Sequence, residues 1–205
     1  ILTGAANGDW AGRGVTGLGD VDNDGLGDLA IASYNAGGSA TGAVYMVNGP
    51  VTGSASLSTA DTTITADATG DLFSEPAWVG DVNSDGLDDM MVGAQLWDGA
   101  GAESGGAFLF FGPVTTSGAA SAAADVIISG DGADQNAGSS LGGAGDVNGD
   151  GINDLLIGAK NDDEGGVDAG AAYIAYGPFS SDFGLAAADV KLTGELTLDG
   201  IGSFA

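Results

Sequence analysis

Two side chains that carry much of protein chemistry are missing from this sequence, which has no cysteine and no histidine. Without cysteine, the chain can form neither a disulfide nor a zinc–thiolate site. Without histidine, it lacks the commonest general base and the commonest transition-metal ligand. These absences argue against zinc, copper and thiol chemistry as functions of this chain.

Positive charge is almost absent as well. The 205 residues include 29 acidic side chains and three basic ones, Arg13, Lys160 and Lys191, so the formal net charge is -26. Nucleic acid and anionic membrane surfaces are therefore not expected as partners, because both recruit lysine and arginine. No apolar run is long enough to span a bilayer and no signal peptide is visible, so membrane insertion is not expected either.

The large negative charge has two explanations, which composition leaves open. The acids can form a solvated surface, as in salt-adapted proteins, or they can bind divalent metal. A compact chain of this charge repels itself unless cations or salt screen it. Both explanations can hold together.

Long helices are also not predicted. No window keeps an apolar helical period over ten or more residues, and the apolar runs are short and end at Gly, Pro, Asp or Ser. The 40 glycines cluster between these runs, as in proteins with many tight turns. The pattern predicts an all-β fold.

The sequence contains a repeat, marked by an acidic segment that starts at Asp20, Asp81 and Asp146, spaced by 61 and 65 positions. Each segment reads Asp-x-(Asp/Asn)-x-Asp-Gly-x-x-Asp and leads into an apolar stretch. A Gly-Ala-led apolar run that stops at Gly-Pro comes next, and an Ala-Asp pair then precedes a short β-like stretch. Each repeat therefore contains about four strand candidates.

The acidic segment has the chemistry of a calcium loop. Calcium takes six to eight oxygen ligands, and oxygens at positions 1, 3 and 5 of a tight loop converge on one point, with glycine at position 6 for the turn. Position 7 can offer its backbone carbonyl, and the aspartate at position 9 closes the shell. Magnesium is less suited, because it demands strict octahedral geometry. Asp, Asn and Gly are also ordinary turn residues, but three copies in register favour a metal.

An EF-hand or a dockerin is the nearest alternative for this pattern, since both share the first six positions. An EF-hand requires glutamate at position 12 and flanking helices. Position 12 is apolar in all three copies, where it is Ile31, Val92 and Ile157. An EF-hand is therefore not predicted.

These motifs resemble the FG-GAP repeats of integrin alpha-subunit β-propellers and their bacterial secreted relatives. The most specific matches are the acidic loops, the strand from Leu155 to Ala159 and the Gly-Ala-x-Tyr strand at 170–173. The resemblance implies propeller blades, each a four-stranded antiparallel sheet with calcium in the loop between its first two strands. The Phe-Gly pair that names the family is degenerate here. It aligns with Ala11-Gly12, Glu75-Pro76 and Ala137-Gly138.

The resemblance also implies the metal ligands, which occupy positions 1, 3, 5, 7 and 9 of each loop and include the backbone carbonyl of position 7. In the first loop they are Asp20, Asp22, Asp24, Leu26 and Asp28. In the second loop they are Asp81, Asn83, Asp85, Leu87 and Asp89. In the third loop they are Asp146, Asn148, Asp150, Ile152 and Asp154. We therefore expect three Ca²⁺ sites.

Aligned on the repeat, the chain divides into three complete blades and partial strands at both ends. The predicted units are 1–14 (last strand of a preceding blade and linker), 15–66 (blade 1), 67–130 (blade 2), 131–194 (blade 3) and 195–205 (start of a following blade). Three blades do not close a propeller ring. We expect that further sequence or neighbouring molecules complete the array, or that it assembles through its blade edges.

These inferences predict an extracellular calcium-binding scaffold, structural or adhesive, whose partner is a protein, a glycan or copies of itself. The alternative is a carbohydrate-binding module in which Trp10, Trp78 and Trp97 stack on sugar rings. These tryptophans do not occupy equivalent positions of the repeat, so core or edge packing is the favoured explanation for them.

Enzymatic activity is not expected, because no nucleophile-and-base arrangement is visible without histidine or cysteine. The best acidic cluster outside the loops comprises Asp162, Asp163, Glu164 and Asp168. We expect this run to be a solvated loop or a weak additional cation site.

Overall fold

The computed structural model describes residues 1–36 and 41–203. These residues form sixteen short β-strands, one single-turn α-helix at Ala120–Ala123 and two 3-10 turns at Leu57–Thr59 and Leu185–Ala187. The predicted all-β class is confirmed. Within this described part, no helix has the length and apolar character needed to cross a membrane.

The strands are short because glycine, proline, aspartate and serine interrupt every apolar run. In chain order they are β1 (Leu2–Thr3), β2 (Ala11–Gly19), β3 (Asp28–Ser33), β4 (Ala43–Val47), β5 (Ala55–Ser56), β6 (Thr62–Thr65), β7 (Phe73–Gly80), β8 (Asp89–Ala94), β9 (Gly106–Phe110), β10 (Gly118–Ala119), β11 (Val126–Ser129), β12 (Ala137–Gly145), β13 (Asp154–Ala159), β14 (Ala171–Ala175), β15 (Phe183–Gly184) and β16 (Val190–Thr193).

Three sheets carry the architecture. The first has the order β10-β6-β4-β3-β2, the second β15-β11-β9-β8-β7 and the third β12-β13-β14-β16. In each sheet, four strands of one repeat pair antiparallel. A two-residue strand from the next repeat then pairs parallel with the outermost of these, β10 with β6 and β15 with β11, so successive sheets are joined at their outer edges. Among the described residues the sheets do not close into a ring.

The sheets pack face to face through two apolar clusters. One cluster lies between the first and second sheets and contains Met46 and Ile64 from one side and Phe108 from the other. The second cluster lies between the second and third sheets and includes Leu109 and Tyr173. The second sheet is therefore the middle layer of a three-sheet stack.

Strand β8 shows how the middle sheet serves both clusters. All six of its residues are buried. Met90 and Val92 belong to the first cluster, whereas Met91 belongs to the second. Successive side chains of a strand point to opposite faces, and a strand covered on both faces is expected to be an unbroken apolar run.

Glycine allows the inner strands of neighbouring sheets to approach closely. Gly138 on β12 has φ +76°, and a Cβ built there would lie 2.1 Å from the carbonyl oxygen of Gly106 and 3.3 Å from the Cα of Gly93. No side chain fits at this point, so glycine is required there.

The strand register corrects one sequence alignment. Ala11 pairs with Ser33 and Ala137 with Ala159, and the residue that pairs with the equivalent Ala94 is Phe73. The predicted match of Glu75-Pro76 to the Phe-Gly pair is therefore wrong. Strand β7 is one residue shorter than β2 and β12, and the register irregularity near its start hid the correspondence. The aromatic residue is retained as Phe73, which is fully buried.

Candidate metal centre

The three acidic loops (20–28, 81–89 and 146–154) each connect the first two strands of a sheet. The first loop brings three carboxylates together: ligand oxygens of Asp20, Asp22 and Asp28 lie within 4.8 Å of one another. Asp28 is buried and the other two are half-buried. Such a group of hard oxygens can hold a divalent cation.

The same hydrogen bonds shape all three loops. The carboxylate at position 1 accepts N–H bonds from positions 5 and 6, the side-chain oxygen at position 3 accepts from position 5, and the carboxylate at position 5 accepts from position 7. In the second loop, for example, Asp81 accepts from Asp85 (3.2 Å) and Gly86 (2.8 Å). The corresponding bonds recur in the first and third loops. These bonds turn the oxygens of positions 1, 3 and 5 towards the inside of the loop.

The aspartate at position 9 has a role that the sequence did not reveal. One carboxylate oxygen of Asp28 accepts the N–H of Val21 (2.9 Å), and the other accepts the N–H of Gly49 (2.9 Å). Gly49 belongs to the Gly-Pro turn after β4, whose peptide bond to Pro50 is cis. Asp89 and Asp154 make the same pair of bonds, to Gly112 and Gly177 respectively. Position 9 therefore fastens each loop to the Gly-Pro turn of its own sheet.

Burial changes the acidity of this position. Burial raises the pKa of Asp28, against the lowering effect of the N–H bonds from Gly49 and Val21. In the second loop burial raises the pKa of Asp89 to about 6, and the nearby carboxylates of Asp85 and Asp81 add to the rise. A bound cation would offset both effects, because it favours the charged carboxylate.

Position 7 is apolar because its side chain covers the glycine of the Gly-Pro turn. A Cβ built on Gly49 would lie 2.8 Å from Cβ of Leu26. A Cβ built on Gly112 would lie 2.9 Å from Cβ of Leu87, and one built on Gly177 would lie 2.7 Å from Cγ2 of Ile152. In the sequence, a Gly-Pro pair follows each acidic loop at a nearly constant spacing. That regular spacing was the signal from which this contact could have been predicted. Ligation by the carbonyl of position 7 stays a prediction.

The first loop differs from the other two in its third residue. Asp22 accepts a hydrogen bond from the Asn48 side-chain nitrogen, and the Asn48 side-chain oxygen is buried without a donor among the described residues. In the other loops the third residue is asparagine, and its amide donates to the carboxylate at position 5, 2.8 Å for Asn83 and 2.9 Å for Asn148. In all three loops the candidate metal ligands are oxygen atoms, which fits calcium better than softer metals.

The tryptophans fall into two classes. Trp97 packs against Phe108 with ring centroids 5.2 Å apart in an edge-to-face arrangement, and it contacts the first core cluster. Trp10 and Trp78 are 64% and 47% exposed. Of the three residues considered for stacking on sugars, Trp97 is thus committed to packing, and Trp10 and Trp78 present surface to solvent.

The acidic run of the third repeat is only partly solvated. Asp162 is fully buried, and its carboxylate lies 2.9 Å from the Lys191 ammonium and accepts a 2.9 Å hydrogen bond from Tyr173. Glu164 also contacts Lys191, at 2.6 Å. The expectation of a solvated loop is therefore wrong for Asp162, while Asp163 and Glu164 are exposed as expected.

Comparison with known proteins relates part of the chain to a repeat family. No curated protein matches the chain. Residues 137–174, which run from the start of β12 through the third acidic loop into β14, match the FG-GAP repeat family, and this match is consistent with an FG-GAP, β-propeller-like family for the chain.

Proposed function

We propose that this protein is a calcium-binding β-propeller scaffold in which each of the three sheets is a blade and each acidic loop holds one Ca²⁺. The observation that supports this most directly is the recurrence of one hydrogen-bond pattern in three loops, with three carboxylates within 4.8 Å of one another in the first. The proposed ligands are the side chains of positions 1, 3, 5 and 9 and the carbonyl of position 7.

Calcium would supply the positive charge that the chain lacks. The formal net charge is -26, and converging carboxylates repel each other unless a cation lies between them. Binding would also hold the first two strands of each blade together at one end. At a hundredfold excess of calcium over its dissociation constant, one site adds about 2.7 kcal/mol to stability.

The proposed setting is extracellular. Calcium modules outside cells bind with dissociation constants on the order of 10⁻⁴ to 10⁻³ M, a range that suits loops with one or two amide or carbonyl ligands each. A structural or adhesive role follows, in which calcium rigidifies the blades and their exposed surfaces bind a protein, a glycan or further copies of the chain.

The outer faces of the first and third sheets, which are the two ends of the stack, support association with further blades. Val147 is 51% exposed, whereas the equivalent Val21 and Val82 are fully buried beneath the next sheet. The outer face of the first sheet carries an apolar groove of about 490 Å³ between Leu2, Val15 and Ile31. Another blade, from a longer chain or from a second copy, would cover both faces.

Thermal unfolding with calcium, with magnesium and with a chelator tests the calcium assignment. We expect calcium to raise the midpoint by roughly 5–10 °C per occupied site at saturation, with a smaller effect of magnesium. The matched control combines Asp20→Asn, Asp81→Asn and Asp146→Asn, which keeps the side-chain shape at position 1 and removes its charge. A wild-type melt that is the same in calcium and in chelator would refute the proposal.

Assembly is tested separately by sizing the protein in calcium and in chelator. Association through the end faces predicts a species larger than a monomer in calcium, and Val147→Asp should reduce it. A monomer under both conditions would show that this chain does not assemble alone.

A carbohydrate-binding module is the second candidate, favoured by the exposure of Trp10 and Trp78. Flat exposed rings of this kind can stack on sugars. Glycan-array binding that is lost in Trp10→Ala or Trp78→Ala would support it, and an array without signal would reject it. We propose no catalytic role, because two carboxylates of the acidic run considered for catalysis, Asp162 and Glu164, form ion pairs with Lys191.

A further inference from the structure

The second and third acidic loops each touch the loop of the preceding sheet through position 8, which lies outside the predicted ligand set. In the second loop this residue is Asp88. Its carboxylate accepts the backbone N–H of Asp20 at 3.0 Å, and Asp20 is position 1 of the first loop. The carboxylate lies directly over Gly19, where an added Cβ would be only 2.0 Å from it.

The third loop contacts the second loop in the same place. Asn153 occupies position 8, and its side chain lies over Gly80, where an added Cβ would be 1.9 Å from the amide nitrogen. The backbone N–H of Asn153 donates to the carbonyl of Asp81 at 3.3 Å. Position 1 of the second loop is therefore supported by the third loop, as position 1 of the first loop is supported by the second.

A second contact runs in the same direction. The carbonyl of Val21, at position 2 of the first loop, accepts the N–H of Val114 at 2.7 Å, and that of Val82 accepts the N–H of Phe179 at 3.1 Å. Both donors follow the Gly-Pro turn of the next sheet. The start of each of the first two loops is thus held at two points by the neighbouring sheet.

The third loop lacks this support among the described residues. A Cβ built on Gly145 would meet no described atom within 4 Å. Asp146 is exposed, whereas Asp20 and Asp81 are half-buried. Val147 is exposed as well, in contrast to its buried equivalents.

We propose that neighbouring loops are coupled through contacts that the later loop supplies to the earlier one, and that Asp88 is a positioning residue for the first calcium site. By fixing the backbone of Asp20, Asp88 pre-orders the first ligand of that site, and Asn153 does the same for the second. The part of this inference that concerns calcium rests on the proposed function. Coupling between sites is reciprocal, so calcium in the second loop would also tighten binding in the first.

The test uses the full chain with only its first loop active, made by Asp85→Asn and Asp150→Asn in the other two loops. Calcium affinity is measured by titration calorimetry. Asp88→Ala should weaken binding by roughly 10–100-fold, as removal of an outer-shell partner does elsewhere. Asp88→Asn keeps an acceptor oxygen and should stay within about threefold of the parent.

A calcium-free measurement separates the contact from the metal. The amide of Asp20 should exchange with solvent faster in Asp88→Ala than in the parent chain or in Asp88→Asn, with all three samples held in chelator. If Asp88→Ala unfolds, Asn153→Ala with only the second loop active tests the other junction. This variant removes the amide over Gly80 but keeps the backbone N–H that donates to Asp81, so the weakening should be smaller than that expected of Asp88→Ala and still exceed about threefold.

The outcomes distinguish the two proposals. A parent chain that binds no calcium refutes the proposed function. A parent that binds calcium while Asp88→Ala matches it in affinity and in Asp20 exchange refutes the coupling. Equal weakening by Asp88→Ala and Asp88→Asn would show that only the charge matters, and it would overturn the positioning role.

Discussion

The Lys191 ammonium lies 2.9 Å from the carboxylate of Asp162, which is fully buried between strands of the third repeat. Asp162 lies in the turn after β13, where its backbone N–H donates to the carbonyl of Ala159. In the second repeat the same position is Trp97, whose N–H donates to the carbonyl of Ala94. One position of the repeat therefore holds an aromatic contact in one sheet and an ion pair in the next.

Removing the lysine should be costly. Lys191→Met leaves Asp162 buried without its counter-ion, and breaking such a pair destabilises a protein by about 3–5 kcal/mol. Urea unfolding measures the change. Lys160→Met is the matched control, because Lys160 donates to the neutral side chain of Gln95, and it should cost less than about 1 kcal/mol. Equal losses of unfolding free energy in the two variants would show that Lys191 does not stabilise the fold as the counter-ion of Asp162.

The same cluster predicts a pH dependence at both extremes. Burial would raise the pKa of Asp162, but hydrogen bonds from Lys191, the Glu164 N–H and Tyr173 outweigh it, so the pKa lies below its ordinary value of 3.8. Its contribution is present above pH 3.8 and is lost as the pH falls further. Desolvation would lower the pKa of Lys191, but its bonds to Glu164, Tyr173 and Asp162 raise it above 10.5. Burial raises the pKa of Tyr173 above 10.0.

Groups with raised pKa values of this kind stabilise the fold at low pH and lose their contribution as the pH rises. Urea midpoints measured from acid to alkaline pH, for wild type and Lys191→Met, isolate the cluster. Asp131, which lies 3.4 Å from Lys191, belongs to the same group. The difference between the two curves should be flat from about pH 4 to pH 10 and shrink outside that range. A constant difference at all pH values would contradict the prediction.

Position 9 of the acidic loop should matter even without metal. In Asp89→Asn the amide replaces one acceptor oxygen, so the N–H of Val82 or Gly112 loses its partner inside the protein. We expect a loss of about 1–3 kcal/mol in chelator. Asp85→Asn, in the exposed part of the same loop, should change stability in chelator by less than about 0.5 kcal/mol. Chemical unfolding in chelator makes the comparison, and a neutral Asp89→Asn would show that this carboxylate serves calcium alone.

Glycine at the close approach of two sheets should be irreplaceable. Alanine at Gly138 would adopt the left-handed conformation at a cost of about 1–2 kcal/mol, and its Cβ would meet the Gly106 carbonyl at 2.1 Å. Gly142 on the same strand has no atom within 4 Å of a Cβ position among the described residues. Gly142→Ala should therefore be neutral or stabilising by up to about 1 kcal/mol. Thermal melts compare the two variants, and similar melts would argue against the close approach.

Much of the fold and of the loops was predictable because the signals are local. The strands end where Gly, Pro and Asp interrupt apolar runs, and the nine-residue acidic pattern specifies its own turn through bonds between neighbours such as Asp81 and Gly86. The Phe-Gly alignment failed at Phe73 for the opposite reason. The register irregularity that shifts it depends on pairing with β8, which spacing along one strand does not reveal.

Residue types and spacings within a few positions were enough to predict the all-β class, the three acidic loops and the oxygen ligands that their side chains offer. The packing of the sheets, in contrast, fixes which of these groups contact each other. The bond between Asp20 and Asp88 spans 68 positions, and the contact of Lys191 with Asp131 spans 60. Such pairs form because whole sheets stack and bring distant parts of the chain together, a relation that no short stretch of sequence encodes.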